Sequence, residues 1–328
     1  MNEPRIEGFS GASGISGASG ISGVSGTGPA VPRALVERAR DISDGRLAPA
    51  VPRDAATVVL LRSAGEGAAG GVEAFLLRRT AELDFAPGAC VFPGGSVDEH
   101  DADPGIGWAG PAPEDFAARL DVPPDRARAL VCAAIRETFE ESGVLLAGAG
   151  PAGAVLVSDS AALAADRHAL LAGSTSLAEV LDRRGLVLRT DLLTPWARWI
   201  TPEASPRRFD TWFFAAALPP GQTATAAPEG HADPGESESG AWLRPGSALE
   251  AARAGQMTLL PPTAVTLGEL AGHPDVPAVL ARRQAITPRL PKVIVEDGRV
   301  RLALPGSGPQ SEPQSEPRSG PPAGEELA

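Results

Sequence analysis

Apolar residues first concentrate in two short β-rich runs, Ala56-Thr-Val-Val-Leu-Leu-Arg62 and Val72-Glu-Ala-Phe-Leu-Leu-Arg-Arg79, separated by a glycine-rich stretch. That pattern predicts an antiparallel hairpin. A third run, Ala89-Cys-Val-Phe92, stops at Pro93-Gly94-Gly95. From Arg126 to Ser142 the spacing is that of a helix, with Leu130, Ala133, Ala134 and Ile135 toward the core and Gly143 as its C-terminal stop. Helices are also expected at Asp159 to Leu171, Ser176 to Arg184, Ser247 to Ala254 and Thr263 to Ala271. Arg208 to Leu218, with Phe209, Trp212, Phe213 and Phe214, reads as a buried strand and Ala241-Trp242-Leu243 as a short one. Lys292 to Leu304 reads as a hairpin turned at Asp297-Gly298. Strands and helices mix without strict βαβ alternation, so the expected class is α+β, or a layered α/β/α domain, rather than a doubly wound sheet.

Composition sets the limits of that domain. Residues 10–28 repeat a Ser-Gly unit, and the chain after Pro305 is again rich in Pro, Ser, Gly and Glu. Such segments cannot offset their ordering entropy, so 1–30 and 305–328 are expected to be disordered tails and 31–304 to fold. The 328 residues carry Lys+Arg 29 against Asp+Glu 41, a formal charge of −12. That balance speaks against nonspecific binding of nucleic acid or anionic membranes. The longest uncharged stretch, Gly143 to Ser158, is broken by glycines and a proline and is too short for a membrane span. The opening residues form no signal sequence, and two cysteines, Cys90 and Cys132, are too few for a disulfide scaffold, so a reducing cytoplasm is the expected setting.

Chemistry concentrates in Ile135-Arg-Glu-Thr-Phe-Glu-Glu-Ser-Gly-Val144. Glu137, Glu140 and Glu141 stand at i, i+3 and i+4, which puts three carboxylates on one helix face, about 6 Å apart at Cβ. Clustered anions repel one another unless a cation neutralises them, and Mg²⁺ and Mn²⁺ favour such hard oxygen ligands. A solvated acidic helix face is the alternative reading. Upstream, Phe92-Pro-Gly-Gly95 offers a backbone that a ligand can approach closely, followed by Asp98, Glu99 and Asp101.

Taken together these residues resemble the box of the Nudix hydrolases: G, five residues, E, seven residues, then R-E-U-x-E-E-x-G-U with U aliphatic. Arg136 to Val144 matches its second half except at Thr138, and Gly95 to Asp101 its first, with Asp in place of Glu. Between Asp101 and Arg136 lie 34 residues where the family pattern has seven, an excess of 27. The inserted segment, 102–125, is rich in Pro and Gly and reads as a surface excursion. Leu76-Leu77, Arg79, Pro87-Gly88-Ala89, Val91 and Phe92-Pro-Gly-Gly95 with Asp98 and Asp101 look like the coenzyme A diphosphatase group of that family. The likeness is nearest to the animal acyl-coenzyme A diphosphatases, which also split their box, and it extends through Trp199-Ile-Thr-Pro202, Arg207 to Phe214 and Trp242-Leu-Arg-Pro245.

The resemblance implies a Nudix fold, an α/β/α sandwich around a mixed sheet, and hydrolysis of a diphosphate in a small nucleotide derivative, coenzyme A or acyl-coenzyme A. It implies Mg²⁺ or Mn²⁺ held by Glu137, Glu140, Glu141, the Gly95 carbonyl and, more weakly, Asp101. Glu140 or Glu141 would also orient or deprotonate the attacking water. Arg136 is expected to point away and pair with a carboxylate, with Gly94 and Gly143 as structural positions. Arg79, Arg207 and Arg208 are candidates for phosphate contact, although a salt-bridged strand end explains the last two equally well. Glu236 or Glu238 is the candidate base from a later loop, and either reads equally as an exposed side chain. Competing readings are ADP-ribose or NADH as substrate, and a Nudix-fold binding or regulatory module without catalysis. The tryptophans are expected in the core, the cysteines in packing roles and the four scattered histidines in no metal site.

Overall fold

The computed structural model describes residues 33–65, 71–80, 87–150, 154–159, 161–226, 237–296 and 299–303. Both compositional tails and the Asp297-Gly298 turn lie outside these residues. In chain order the first elements are α1 (Arg33–Ser43), β1 (Arg53–Ser63), β2 (Val72–Arg79), β3 (Ala89–Val91), β4 (Gly94–Ser96), β5 (Trp108–Ala109), α2 (Pro113–Leu120) and α3 (Pro124–Ser142). There follow β6 (Ala147–Ala149), β7 (Val155–Leu156), α4 (Ala164–Leu171), α5 (Leu177–Arg184), β8 (Leu186–Arg189), β9 (Thr194–Ile200) and β10 (Phe209–Ala217). The last are β11 (Ser237–Leu243), α6 (Pro245–Arg253), β12 (Thr258–Leu259), α7 (Pro261–Leu270), α8 (Val276–Leu280), β13 (Pro288–Arg289), β14 (Lys292–Glu296) and β15 (Arg299–Ala303).

A mixed sheet runs β12-β3-β2-β1-β10-β9-β13, with β11 added to β2 and β4 to β1. The hairpin expected from the first two apolar runs is present, with Leu61 opposite Ala74. β1 then pairs in parallel with β10, Ala56 beside Trp212 and Val58 beside Phe214. Side chains alternate across a strand, and here both faces are covered. Ala56, Val58, Leu60, Phe75, Leu77, Trp212 and Phe214 enter one core together with α3. Val59, Leu61, Leu76, Phe213 and Ala215 enter the other with α6, α7 and α8. A central strand apolar on both faces therefore reads as a near-continuous run, which is why β1 and β10 stand out in the sequence. The architecture is the expected α/β/α sandwich of α+β class.

The inserted segment 102–125 departs from expectation. Instead of a surface excursion it supplies β5 and α2, and Ile106, Phe116 and Leu120 are buried in the α3-side core. The reason is visible in α2 itself. Pro113 stands in its first turn, the Asp115 carboxylate accepts the Ala112 N–H at 2.9 Å, and Phe116 and Leu120, four residues apart, share the buried face. β5 joins a second sheet of four short strands, β5-β8-β6-β7. Among the described residues no helix is long and apolar enough to cross a membrane.

Candidate active site

The site rests on α3, and its sequence explains why a helix forms there. Pro124 stands in the first turn, Ala-rich apolar positions fill the middle, and Gly143 ends it at φ 71°, a left-handed conformation that favours glycine. Thr138, the one departure in the second half of the box, is buried and donates its hydroxyl to the Ala134 carbonyl at 2.6 Å. The polar atom is thereby satisfied inside the helix, and the methyl group remains for the core. At the other end, Arg126 forks onto Asp54 at 2.7 and 2.6 Å while Arg198 forks onto Asp210 at 2.8 and 2.7 Å. Asp54 and Asp210 are neighbours across β1 and β10, and both guanidiniums lie over the Trp212 ring, 4.7 and 4.3 Å from its centre. Arg126 thereby docks the helix on the sheet while Arg198 ties β9 to β10, and neither arginine carries a sequence signal, since each is a lone charge whose partner is distant or on another strand.

The two halves of the split box meet. The Gly94 N–H donates to Glu141 Oε2 at 2.7 Å, and a Cβ at Gly95 would stand only 2.4 Å from Glu137 Oε1. A Cβ at Gly94 would be 2.5 Å from the Ala56 carbonyl oxygen on β1. Both positions therefore require glycine for close approach, one to the strand and one to the carboxylate.

Arg136 does pair with a carboxylate, but it does not point away. Its Nε and Nη2 fork onto Asp101 at 2.9 Å each, and Nη1 reaches Glu137 at 2.9 Å and Glu140 at 3.0 Å. Asp101 is correspondingly reassigned. It is 1% exposed, and both its oxygens are engaged, by Arg136 and by the Asp98 N–H at 2.8 Å, so it orients Arg136 rather than presenting a free ligand oxygen. Burial pushes the Glu137 carboxyl up to about 7, with Arg136 opposing and Glu140 reinforcing the shift. Burial raises Glu140 as well, again opposed by Arg136. Burial disfavours the Arg136 charge, but Asp101, Glu137 and Glu140 outweigh it and hold its pKa above the usual value.

Among the described residues no three His, Cys, Asp or Glu side chains are already gathered as a cation cage. The donor set nonetheless suits a hard divalent cation. Glu137 and Glu140 share Arg136 Nη1 and are costly to ionise as they stand, Glu141 follows on the same helix and accepts from Gly94, and the Gly95 backbone is held against Glu137.

Of the remaining candidates, Arg79 closes β2 and lies opposite Ser237 of β11, which brings it beside the stretch bearing Glu238. Glu236 lies outside the described residues, and Glu238 lies within β11 where the pairing register shifts. Arg207 is exposed ahead of β10. Arg208 is not available for phosphate contact: it is 7% exposed and donates to the carbonyls of Thr201 at 3.0 Å and Ala50 at 2.8 Å, tying down loop backbone. Cys90 and Cys132 are free and buried, and burial pushes their thiols up to about 11 and about 12, as packing cysteines should be. Trp196, Trp199 and Trp212 lie in the core.

A glycine loop docked on a helix of glutamates, on one face of this mixed sheet, is the arrangement of the Nudix fold, and the chain is similar to the Nudix family. Its likeness within that family is to the NUDT19 branch: the NUDT19 Nudix domain model matches residues 112–270, a span that takes in α3 but begins after the Gly94-Gly95 loop. The chain is 30% identical to the acyl-coenzyme A diphosphatase NUDT19 of Gallus gallus, over 58% of each protein. It is 27% identical to the human protein of that name, again over 58% of each. The chain thus spans little more than half the length of these relatives. Among solved structures, a Nudix hydrolase from Alicyclobacillus acidocaldarius superposes with a TM-score of 0.59 at 26% identity, covering 72% of this chain and 98% of that one.

Proposed function

We propose that this chain is a metal-dependent hydrolase that cleaves the diphosphate of coenzyme A or acyl-coenzyme A to 3′,5′-adenosine diphosphate and (acyl-)4′-phosphopantetheine. The observation that carries the reading is the contact between Gly94-Gly95 and Glu137/Glu141, made in spite of the insertion between the two halves of the box. The names of the NUDT19 relatives support the substrate class. In this reading Glu137, Glu140, Glu141 and the Gly95 carbonyl hold Mg²⁺ or Mn²⁺, which supplies charge compensation for the diphosphate and a more acidic water. Arg136, fixed by Asp101, sets the spacing of Glu137 and Glu140. Glu140 or Glu141 orients the water, Glu236 or Glu238 serves as base, and Arg79, beside the latter stretch, contacts phosphate. A reducing compartment such as the cytoplasm suits the free buried cysteines.

The test is a panel of coenzyme A, acyl-coenzyme A, ADP-ribose and NADH at equal concentration with Mg²⁺ or Mn²⁺. Coenzyme A or its acyl ester should be cleaved fastest, and preference for ADP-ribose or NADH would replace the substrate while keeping the site. Glu140→Gln should lower kcat by about 100-fold or more with an unchanged circular dichroism spectrum; a variant as fast as wild type removes the site assignment.

A further inference from the structure

We propose that Arg167 is a positioning residue for this site, holding the carboxylate helix and the segment after β10 at a fixed spacing; the inference rests on the functional reading above. Arg167 belongs to α4, outside the box, and is only 6% exposed. Its Nε donates to the Glu140 carbonyl at 2.9 Å, while Nη1 and Nη2 reach the Thr225 hydroxyl and carbonyl at 3.4 and 3.2 Å. One guanidinium therefore touches the backbone of a proposed metal ligand and the segment that leads from β10 toward Glu236 and Glu238.

Other bonds lace the same seam. The Thr225 N–H donates to the Ser142 carbonyl at 2.9 Å. The Gln222 amide accepts from the Leu145 N–H at 2.9 Å and donates to the Leu145 and Val157 carbonyls at 2.9 and 2.8 Å. Arg167 differs from these in carrying charge to the end of α3, where the last carbonyls lack helical partners and the dipole favours a cation. Burial lowers its pKa to about 10, with nearby Glu141 opposing, so it is charged at neutral pH. Gly143 leaves room for it: a Cβ there would lie 2.9 Å from Nη1. Only a fork of several donors can serve both segments at once. Lysine could reach the Glu140 carbonyl but not bridge to Thr225.

Arg167→Met and Arg167→Lys test this against wild type at a temperature where circular dichroism shows the proteins folded. Arg167→Met should lower kcat by about tenfold with KM little changed, weaken Mn²⁺ binding in a titration, and speed amide hydrogen exchange in both 137–145 and 222–226. Arg167→Lys should protect the helix segment while leaving 222–226 fast and kcat low, and it decides the matter if the methionine variant fails to fold. A loss of melting temperature alone, with kcat, Mn²⁺ affinity and exchange in both segments unchanged, overturns the proposal. If wild type cleaves nothing in the panel, the functional reading fails separately, and the exchange pattern still shows whether Arg167 holds the two segments together.

Discussion

The large sheet and the small one are built on different principles. In the large sheet, β1 pairs with β10 over nine residues, and apolar side chains alternate between two cores. In the small sheet the strands are two to four residues long, and their fit comes from close backbone approach. A Cβ at Gly107 would lie 2.6 Å from Val187 Cγ1, and one at Gly110 the same distance from the Asp191 amide nitrogen. Thr190 stitches the edge by donating its hydroxyl to the Ala109 carbonyl at 3.0 Å. The large sheet gives the site its platform, and the small one gathers the box insertion and the chain after α3 into one layer. A split motif can keep its geometry because what splits it is folded.

The strongest way to break that statement is Phe116→Ala. Phe116 is 2% exposed and packs edge-on against Trp108 and Phe214, with ring centres 6.2 and 6.4 Å apart, so the insertion leans on the central strand β10. Truncating a buried phenylalanine costs about 3–5 kcal/mol, read as a lower midpoint in urea unfolding. A surface excursion would lose less than about 0.5 kcal/mol, and such a value would show the insertion to be a passenger.

Glycines sharpen the contrast between the regions. Gly95→Ala drives a methyl group into the Glu137 carboxylate, so kcat should fall by about 100-fold, the scale of a lost electrostatic contact, while the unfolding midpoint moves little. Gly107→Ala drives one into Val187 and should cost about 1–3 kcal/mol of stability, as overpacking does, with kcat nearly unchanged in the folded protein. Equal effects of both on activity would mean that the small sheet reaches the chemistry directly.

What the sequence disclosed follows the same division. The β1 and β10 runs, α3 with its Gly143 stop and the Gly94-Gly95 loop were legible because repeated apolar positions or two specific motif halves announced them. The two- and three-residue strands carry too few positions for any period, so Trp108-Ala109 and Ala147 to Ala149 give no strand signal. α2 had a usable signal in Pro113, Phe116 and Leu120, masked by the prolines and glycines around it. Asp101 and Arg136 stand out as parts of a motif, but their mutual pairing depends on a fold that brings residues 35 apart together. Arg167 gave no signal at all, because a single arginine on a short helix acquires meaning only from what it touches.

Ion pairs give the last and smallest contrast. Arg126 and Asp54 are 72 residues apart and half buried, and they meet only in the folded protein. Arg126→Ala should cost about 2 kcal/mol: less than breaking a fully buried pair, because Asp54 keeps some solvent and Arg198 still holds Asp210. In the small sheet Arg189 and Asp191 make a fork of similar geometry, 2.8 Å at both contacts. They are only two residues apart, so the unfolded chain can form much of the same pair, and that part cancels from the stability difference. The Asp191 carboxylate is also 38% exposed and screened by salt. Arg189→Ala should therefore cost less than about 1 kcal/mol in urea unfolding, with the difference shrinking further as salt rises. A cost equal to that of Arg126→Ala would mean that the fork at Arg189 holds the small sheet together in a way its local geometry does not imply.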